Sequence, residues 1–180
     1  MNNNLREIKI SSQEIFQGKI INLRIDTVQL PNGKEATREV VEHPGAVAVV
    51  AINETNEIVL IRQYRAAIDE VIIEIPAGKL ELGEDPLICA KRELEEETGY
   101  QAGQWEKVFT FYTTPGFSDE KMYLYLAKDI KILEQSLDED EFVEIFYMPI
   151  SQAISDCRNG QIKDAKTILG IQAAYLYLRL

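Results

Sequence analysis

The chain has 180 residues, of which 46% are hydrophobic and 27% are charged. This composition is typical of one globular domain of moderate size, or of a domain with a small appendage. The net charge of −11 argues against a nucleic-acid polymer as partner, because phosphate backbones bind to basic surfaces. The sequence lacks a run of about 18 apolar residues, so we expect neither a transmembrane helix nor a membrane partner.

The N-terminus and the cysteines indicate a compartment. The sequence MNNNLREIKI lacks the basic and then apolar pattern of a signal peptide. Cys89 and Cys157 lack the spacing of metal ligands, and we expect both to be reduced. Together these features predict a cytoplasmic protein.

Residues 5–42 are predicted to form a small unit of strands. Alternating apolar and polar residues indicate strands at 14–16 and 20–30, and Pro31, Asn32 and Gly33 indicate a turn before a returning strand at 37–42. Because the chain is interrupted at 44–45, we expect an N-terminal antiparallel β-sheet subdomain at 1–43 and a second domain at 44–180. So small a sheet has little core, and we expect it to pack on the main domain or on another subunit.

The remainder mixes predicted strands with helices. Apolar runs predict strands at 46–52, 57–64, 72–75, 108–112, 122–127 and 142–148, and the first of these should be buried on both faces. A turn is expected at 76–78. Two C-terminal helices are predicted at about 151–159 and 163–178. This mixture favours an α/β sandwich.

A short acidic helix is predicted between Asp85 and Gly99. Asp85 is a good N-cap, Pro86 suits the first helical position, and Gly99 suits the left-handed cap. Residues 87, 90 and 94 have the spacing of a buried face. We therefore expect one side of this helix to face the core.

The other side of this helix carries Glu93, Glu96 and Glu97, three and four residues apart. Their charges repel one another, which indicates that a positive group lies among them. Oxygen ligands on a rigid support suit Mg²⁺ or Mn²⁺, and Gly78 would let the preceding backbone approach such an ion. The alternative is an acidic surface helix without an ion.

The spacing around these glutamates resembles the Nudix box. The matching residues are Gly78, Glu84, Arg92, Glu93, Leu94, Glu96, Glu97, Gly99 and Tyr100. The resemblance implies a Nudix-type α/β/α sandwich with a mixed sheet, and a hydrolase that uses a divalent cation to split nucleoside diphosphates linked to another group. It also implies that the Ala77 carbonyl joins Glu93, Glu96 and Glu97 as a metal ligand. We expect Arg92 and Glu84 to form a pair that fixes the loop against the helix.

Nearly the whole chain resembles the ADP-ribose pyrophosphatase branch of that family. Pro115 lies fifteen residues after Tyr100, and the match includes 38–39, 42–45, 63–65, 74–78 and 160–167. The resemblance implies hydrolysis of ADP-ribose to AMP and ribose 5-phosphate by a homodimer that shares the N-terminal sheet. The alternatives are a hydrolase of another nucleoside diphosphate sugar, such as GDP-mannose, and a non-catalytic module that senses ADP-ribose.

The general base should lie outside the helix, because a metal-bound carboxylate is a weak base. The candidates are Glu120 in a turn-rich loop, and Glu139 and Glu141 in an acidic loop at 137–141. The resemblance implies a catalytic glutamate in the acidic loop, with Glu141 as a further metal ligand, and Glu120 as the residue that contacts substrate. Glu96 is either a ligand or a holder of water. The alternative for the acidic loop is a solvated run of charge.

Arginines are suited to the substrate because their planar side chains pair with phosphate oxygens. Arg38 and Arg65 are the candidates for the diphosphate, and Glu39 for a ribose or a base, with surface solubility as the alternative for the arginines. We expect His43 to orient a loop. The resemblance implies that an aromatic residue of the N-terminal sheet stacks on adenine. Phe16 is the nearest candidate, although Lys19 and Ile20 occupy the positions where that aromatic residue is expected.

Overall fold

The structure is a computed structural model that describes residues 5–132 and 142–178. The chain forms two compact units. The first takes in the residues up to Gly45 and Phe111–Met122, and the second takes in Ala46–Thr110 and the chain from Tyr123 onward. Among the described helices, none is both long and apolar enough to cross a membrane.

The first unit contains a three-stranded antiparallel sheet. Its strands are β1 (Ile8–Gln17), β2 (Asn22–Gln29) and β3 (Glu35–Glu42), in that order. Gly33 has a φ of 82°, which glycine adopts without strain and which closes the turn between β2 and β3. The predicted N-terminal antiparallel sheet is confirmed. β1 is longer than the predicted 14–16, because its backbone pairs with β2 although every side chain of β1 is exposed.

The second unit contains the remaining strands and the helices. The strands are β4 (Ala46–Ala51), β5 (Glu57–Arg65), β6 (Glu70–Glu74), β7 (Ala77–Lys79), β8 (Tyr100–Tyr112), β9 (Lys121–Ile132) and β10 (Val143–Pro149). The ends of β8 and β9 that meet the 113–120 loop belong to the first unit. The helices are α1 (Pro86–Thr98), α2 (Ile150–Arg158) and α3 (Ala165–Leu178). One sheet has the order β10-β5-β6, and the other has the order β7-β4-β9-β8.

Two predicted boundaries were wrong. The turn expected at 76–78 is largely strand β7, because Gly78 pairs with Val47 of β4 and Ala77 pairs with Ala48. β8 begins at Tyr100 rather than near 108, because the chain passes directly from Gly99 at the end of α1 into the strand.

β4 lies at the centre of the second unit and is buried on both faces, as predicted. Val47 and Val49 belong to a core cluster that includes Leu94 of α1. Toward the opposite face, a Cβ on Gly170 of α3 would lie 2.8 Å from Cγ2 of Val50, so the close approach of α3 requires glycine. A fully buried valine or leucine contributes roughly 1.5–3 kcal/mol. This helix–sheet–helix arrangement confirms the predicted α/β/α sandwich.

Candidate active site

The acidic helix α1 begins and ends as predicted. The Asp85 carboxylate accepts hydrogen bonds from the N–H groups of Leu87 and Ile88, and Pro86 occupies the first turn. Gly99 adopts the left-handed conformation with a φ of 67°, and its N–H donates to the carbonyl of Glu95. These local signals fix the ends of α1 and therefore the direction in which its carboxylates point.

β7 lies directly against the acidic side of α1. The N–H of Ala77 donates to Oε2 of Glu97 at 2.9 Å. A Cβ atom on Gly78 would lie 1.8 Å from Cδ of Glu93, so a side chain at that position would displace the Glu93 carboxylate. Glu97 is 2% exposed and Glu93 is 9% exposed. The carboxylates of Glu93 and Glu97 are therefore in direct contact with the β7 backbone.

Arg92 is the positive group that lies among these acids. Its Nε and Nη2 donate to the carboxylate of Glu84 at 3.1 Å, and its Nη1 donates at 2.8 Å to both Glu93 and Glu96. The predicted pair of Arg92 and Glu84 is present, and the contacts to Glu93 and Glu96 are additional. The hydrogen bonds from Arg92 lower the pKa of Glu84 to about 2.

The donors at this surface have the chemistry of a hard-cation site. Within residues 5–132 and 142–178, no group of three acidic, histidine or cysteine side chains converges as metal ligands would. The contacts explain this arrangement, because Arg92 holds Glu93 and Glu96 and the Ala77 N–H holds Glu97. Carboxylate and carbonyl oxygens are nevertheless the ligands that Mg²⁺ and Mn²⁺ prefer. One arginine cannot balance the charges of Glu84, Glu93 and Glu96, so these residues fit a divalent cation.

Arg65, at the end of β5, is bound to a buried carboxylate. Its Nε and Nη2 donate to Glu74 at 2.7 and 2.6 Å, and Glu74 is 1% exposed. The hydrogen bonds to Glu74 are the largest factor that raises the pKa of Arg65, and the charge of Glu97 raises it further. Arg65 therefore belongs to the same charged region as the α1 carboxylates. Its partner Glu74 had no role assigned from the sequence, since the pairing depends on how β5 and β6 meet.

The other predicted substrate residues lie on the sheet of the first unit. Arg38 of β3 forms an ion pair with Glu7, with Nε 3.0 Å from Oε2. Glu39 is exposed and pairs through its backbone with Ile25 of β2. Phe16 of β1 is 55% exposed. These side chains are available for contacts, and their roles stay predictions.

The 113–120 loop also belongs to the first unit, where it joins β3. The N–H of Val41 donates to the carbonyl of Phe117 at 2.7 Å, and the N–H of His43 donates to Asp119 at 2.8 Å. The Glu120 carboxylate accepts a hydrogen bond of 2.6 Å from the hydroxyl of Thr113. This loop therefore holds Glu120 in a defined position.

His43 contacts both the backbone after β3 and the 113–120 loop, and its role in orienting this loop stays a prediction. Its Nδ1 accepts a hydrogen bond from the N–H of Gly45 at 3.1 Å, and it lies 3.8 Å from Glu120. Glu139 and Glu141, the predicted residues of the acidic loop, lie outside the described residues.

Family models match nearly the whole chain. The model described as NUDIX domain matches residues 42–169, and the model described as Nucleoside diphosphate sugar hydrolase N-terminal domain matches residues 7–41. The first match contains α1 and β7, and the second contains β1 and β2. The two models together therefore include both the acidic helix and the N-terminal sheet.

Curated relatives cover most of the chain. It is 47% identical over 177 residues to "ADP-ribose pyrophosphatase" of Bacillus subtilis (strain 168), a match that covers 97% of this chain and 95% of that protein. It is 47% identical over 175 residues to "Methanol dehydrogenase activator" of Bacillus methanolicus, covering 96% and 94%. It is 40% identical over 152 residues to "GDP-mannose pyrophosphatase" of Cronobacter sakazakii (strain ATCC BAA-894), covering 79% and 78%.

A solved structure has the same fold. The structure titled "Crystal structure of ADP compounds hydrolase" superposes with a TM-score of 0.86 at 19% identity, and the match covers 97% of this chain and 96% of that chain. Its similarity supports the fold alone. With the match of the NUDIX domain model to 128 consecutive residues, 42–169, and the glycine-packed acidic helix within that range, this chain belongs to the NUDIX domain family.

Proposed function

We propose that this protein hydrolyses the diphosphate of ADP-ribose to AMP and ribose 5-phosphate with Mg²⁺ as cofactor. The observation that carries the proposal is the contact of β7 with the carboxylates of α1. The backbone of Ala77 and Gly78 lies against Glu97 and Glu93, which supports a site for a cation that gathers phosphate oxygens. The 47% identity to a relative named ADP-ribose pyrophosphatase supports the choice of substrate.

Glu93, Glu96, Glu97 and the Ala77 carbonyl would hold the cation, with Glu141 as a further ligand. A divalent cation held there would neutralise phosphate oxygens and would lower the pKa of a bound water molecule. Arg65 binds the diphosphate, since its Nη1 has no hydrogen bond within residues 5–132 and 142–178. Glu139 or Glu141 takes the proton from the attacking water.

We assign recognition of the nucleoside to the first unit. Arg38 contacts the diphosphate, Glu39 accepts hydrogen bonds from a ribose or a base, and Phe16 stacks on the base. Glu120 contacts substrate and is the alternative base, because a hydrogen bond from Thr113 fixes its carboxylate. All four side chains belong to exposed strands or to a loop, where ligand contacts are common.

We propose a subdomain at 1–43 that joins two copies of the chain, and a hydrolase domain at 44–180. Every side chain of β1 is exposed, including Ile8, Ile10 and Phe16, and apolar residues on an edge strand favour a second copy as cover. Light scattering should give twice the mass of the chain, and deletion of residues 1–43 should give a monomer. The free thiols agree with a reducing compartment such as the cytoplasm.

A substrate screen tests the proposed function. Purified protein is incubated with ADP-ribose, GDP-mannose and dinucleotide polyphosphates, with Mg²⁺ and with an EDTA control. ADP-ribose should be hydrolysed with the highest kcat/KM, AMP and ribose 5-phosphate should be the products, and EDTA should abolish the reaction. A higher kcat/KM for GDP-mannose would show that GDP-mannose, and not ADP-ribose, is the preferred substrate. Binding of ADP-ribose without turnover would favour the non-catalytic sensing module.

A second candidate function is activation of a methanol dehydrogenase. A relative with that name is 47% identical to this chain over 175 residues, as similar as the pyrophosphatase relative. Adding this protein to a purified methanol dehydrogenase and measuring the rate of alcohol oxidation tests it. An increase that the Glu97→Gln variant does not produce would link activation to hydrolysis, and no increase would remove this candidate.

A further inference from the structure

The backbone between Glu74 and Gly78 is held by three different elements. The N–H of Ile75 donates to Oγ1 of Thr167 in α3 at 2.9 Å, and the carbonyl of Pro76 accepts from the N–H of Val49 in β4 at 2.8 Å. The N–H of Ala77 donates to Glu97 in α1. Thr167 and Ile75 are fully buried. The position of the Ala77 carbonyl therefore depends on α3, which lies about ninety residues further along the chain.

Glu74 receives hydrogen bonds from two cations. Arg65 donates to both carboxylate oxygens, and Nζ of Lys166 donates to Oε2 at 2.7 Å. Burial alone would raise the pKa of Glu74, but the hydrogen bonds and charges of Arg65 and Lys166 outweigh it and lower the pKa. Glu74 is therefore negatively charged. Lys166 stabilises this charge together with Arg65, and would continue to do so if Arg65 also bound a second anion.

The start of α3 is itself tightly organised. Asp164 accepts hydrogen bonds from the N–H of Thr167 at 2.9 Å and from its hydroxyl at 2.6 Å. Nζ of Lys166 lies 3.1 Å from the same carboxylate. Because the Thr167 hydroxyl donates its one proton to Asp164, its lone pairs are directed to the N–H of Ile75. Asp164 thus sets the orientation of both side chains.

We propose that Lys166 and Thr167 are positioning residues for diphosphate binding. Lys166 keeps Glu74 in place so that Glu74 orients the guanidinium of Arg65, with Nη1 directed away from the carboxylate. Thr167 fixes the Ile75–Ala77 backbone and with it the Ala77 carbonyl. This inference rests on the proposed function, in which Arg65 binds the diphosphate and Ala77 lies at the cation.

The first test compares Lys166→Met with Lys163→Met, which removes an exposed lysine paired with Glu70. Lys166→Met should raise the KM for ADP-ribose about tenfold and change kcat less than about threefold, because it weakens binding that ground state and transition state share. Lys163→Met should leave both constants unchanged, and Lys166→Arg should restore KM. In an Arg65→Ala background, Lys166→Met should add no further increase in KM, because it acts through Arg65.

The second test uses a matched pair at Thr167. Thr167→Val keeps the shape but loses the acceptor for Ile75, whereas Thr167→Ser keeps the hydroxyl. The valine variant should lower kcat about tenfold, and the serine variant should stay within about twofold of the wild type. This pair remains informative if Lys166→Met does not fold.

The outcomes separate this inference from the proposed function. A wild-type protein that does not hydrolyse ADP-ribose, or an Arg65→Ala variant with an unchanged KM, would contradict the proposed function. If Arg65→Ala raises KM but Lys166→Met does not, the role of Lys166 is overturned while the proposed function stands. Equal losses in Thr167→Val and Thr167→Ser would overturn the role of the hydroxyl.

Discussion

Gly78 of β7 and Glu93 of α1 are in direct contact, and a Cβ atom on Gly78 would lie 1.8 Å from Cδ of the Glu93 carboxylate. Cβ atoms in proteins essentially never lie within 3.0 Å of a heavy atom to which they are not bonded. The absence of a side chain at residue 78 is therefore a condition for the position of Glu93. The contact between β7 and the acidic helix therefore depends on glycine at residue 78.

Gly78→Ala should lower kcat/KM for ADP-ribose at least about 100-fold, because the new methyl group displaces the Glu93 carboxylate. We expect the free energy of unfolding to fall by about 1–3 kcal/mol through overpacking. Steady-state kinetics and urea denaturation measure the two effects. Normal kcat/KM in a folded Gly78→Ala protein would show that the position of Glu93 does not matter.

Gly33→Ala is the control for loss of stability. Gly33 has a φ of 82°, and a Cβ there would meet no heavy atom within 4 Å. Alanine at this position should lower the free energy of unfolding by about 1 kcal/mol through backbone strain alone. Its kcat/KM should equal that of the wild type, so the difference between the two variants isolates the contact with Glu93.

Glu97→Gln should abolish turnover and leave the fold intact. Glutamine keeps an oxygen that accepts the N–H of Ala77 at the position of the present 2.9 Å hydrogen bond, but it loses the negative charge that holds a cation. We expect kcat to fall at least about 100-fold with an unchanged circular dichroism spectrum. Glu95→Gln is the control on the same helix, and should keep the wild-type rate because Glu95 bonds to Gln101 instead. Near-normal activity in Glu97→Gln would reject its assignment as a ligand.

The pair of Glu84 and Arg92 predicts a pH dependence of stability. Hydrogen bonds from Arg92 lower the pKa of Glu84 in the folded protein to about 2, below the value of about 4.5 in the unfolded chain. The pair therefore stabilises the fold fully above pH about 4.5, and this contribution is lost as the pH falls from there toward 2. Glu84→Gln should be less stable than the wild type by a constant amount between pH 5 and 8. Urea denaturation should show that the difference shrinks below pH about 4.5; a constant difference down to pH 3 would contradict the pairing.

Cys89 should be unreactive in the folded protein. Burial raises the pKa of its thiol to about 12, and Glu84 contributes to the same shift. At pH 8 about one molecule in 10⁴ then carries the reactive thiolate. In a Cys157→Ser variant, which leaves Cys89 as the sole cysteine, a disulfide reagent such as DTNB should label the native protein far more slowly than the urea-unfolded protein. Rapid labelling of the native protein would show that Cys89 is accessible.

Features with local causes were predictable from the sequence. The N-cap Asp85, the first-turn Pro86 and the left-handed Gly99 define α1, and the structure confirms each of them. The apolar run of β4 predicted burial on both faces, and every residue of that strand is buried. In each case the signal lies within a few residues of its effect.

Features that depend on distant partners were not predictable. Arg65 pairs with Glu74 because β5 and β6 meet in one particular register, and Lys166 reaches the same carboxylate because α3 packs beside β6. β7 was expected to be a turn, since its pairing with β4 leaves no pattern in three residues. The positive group among the α1 acids was predicted to be a divalent ion, and the structure shows that Arg92 lies among them.

Binding of Mn²⁺, measured by electron paramagnetic resonance, tests the central claim that the carboxylates of α1 hold divalent cations. Wild-type protein should bind Mn²⁺, bind it more tightly when a non-hydrolysable ADP-ribose analogue is present, and lose this binding in Glu97→Gln but not in Glu95→Gln. Equal affinity and stoichiometry for Mn²⁺ in wild type and Glu97→Gln would contradict the claim.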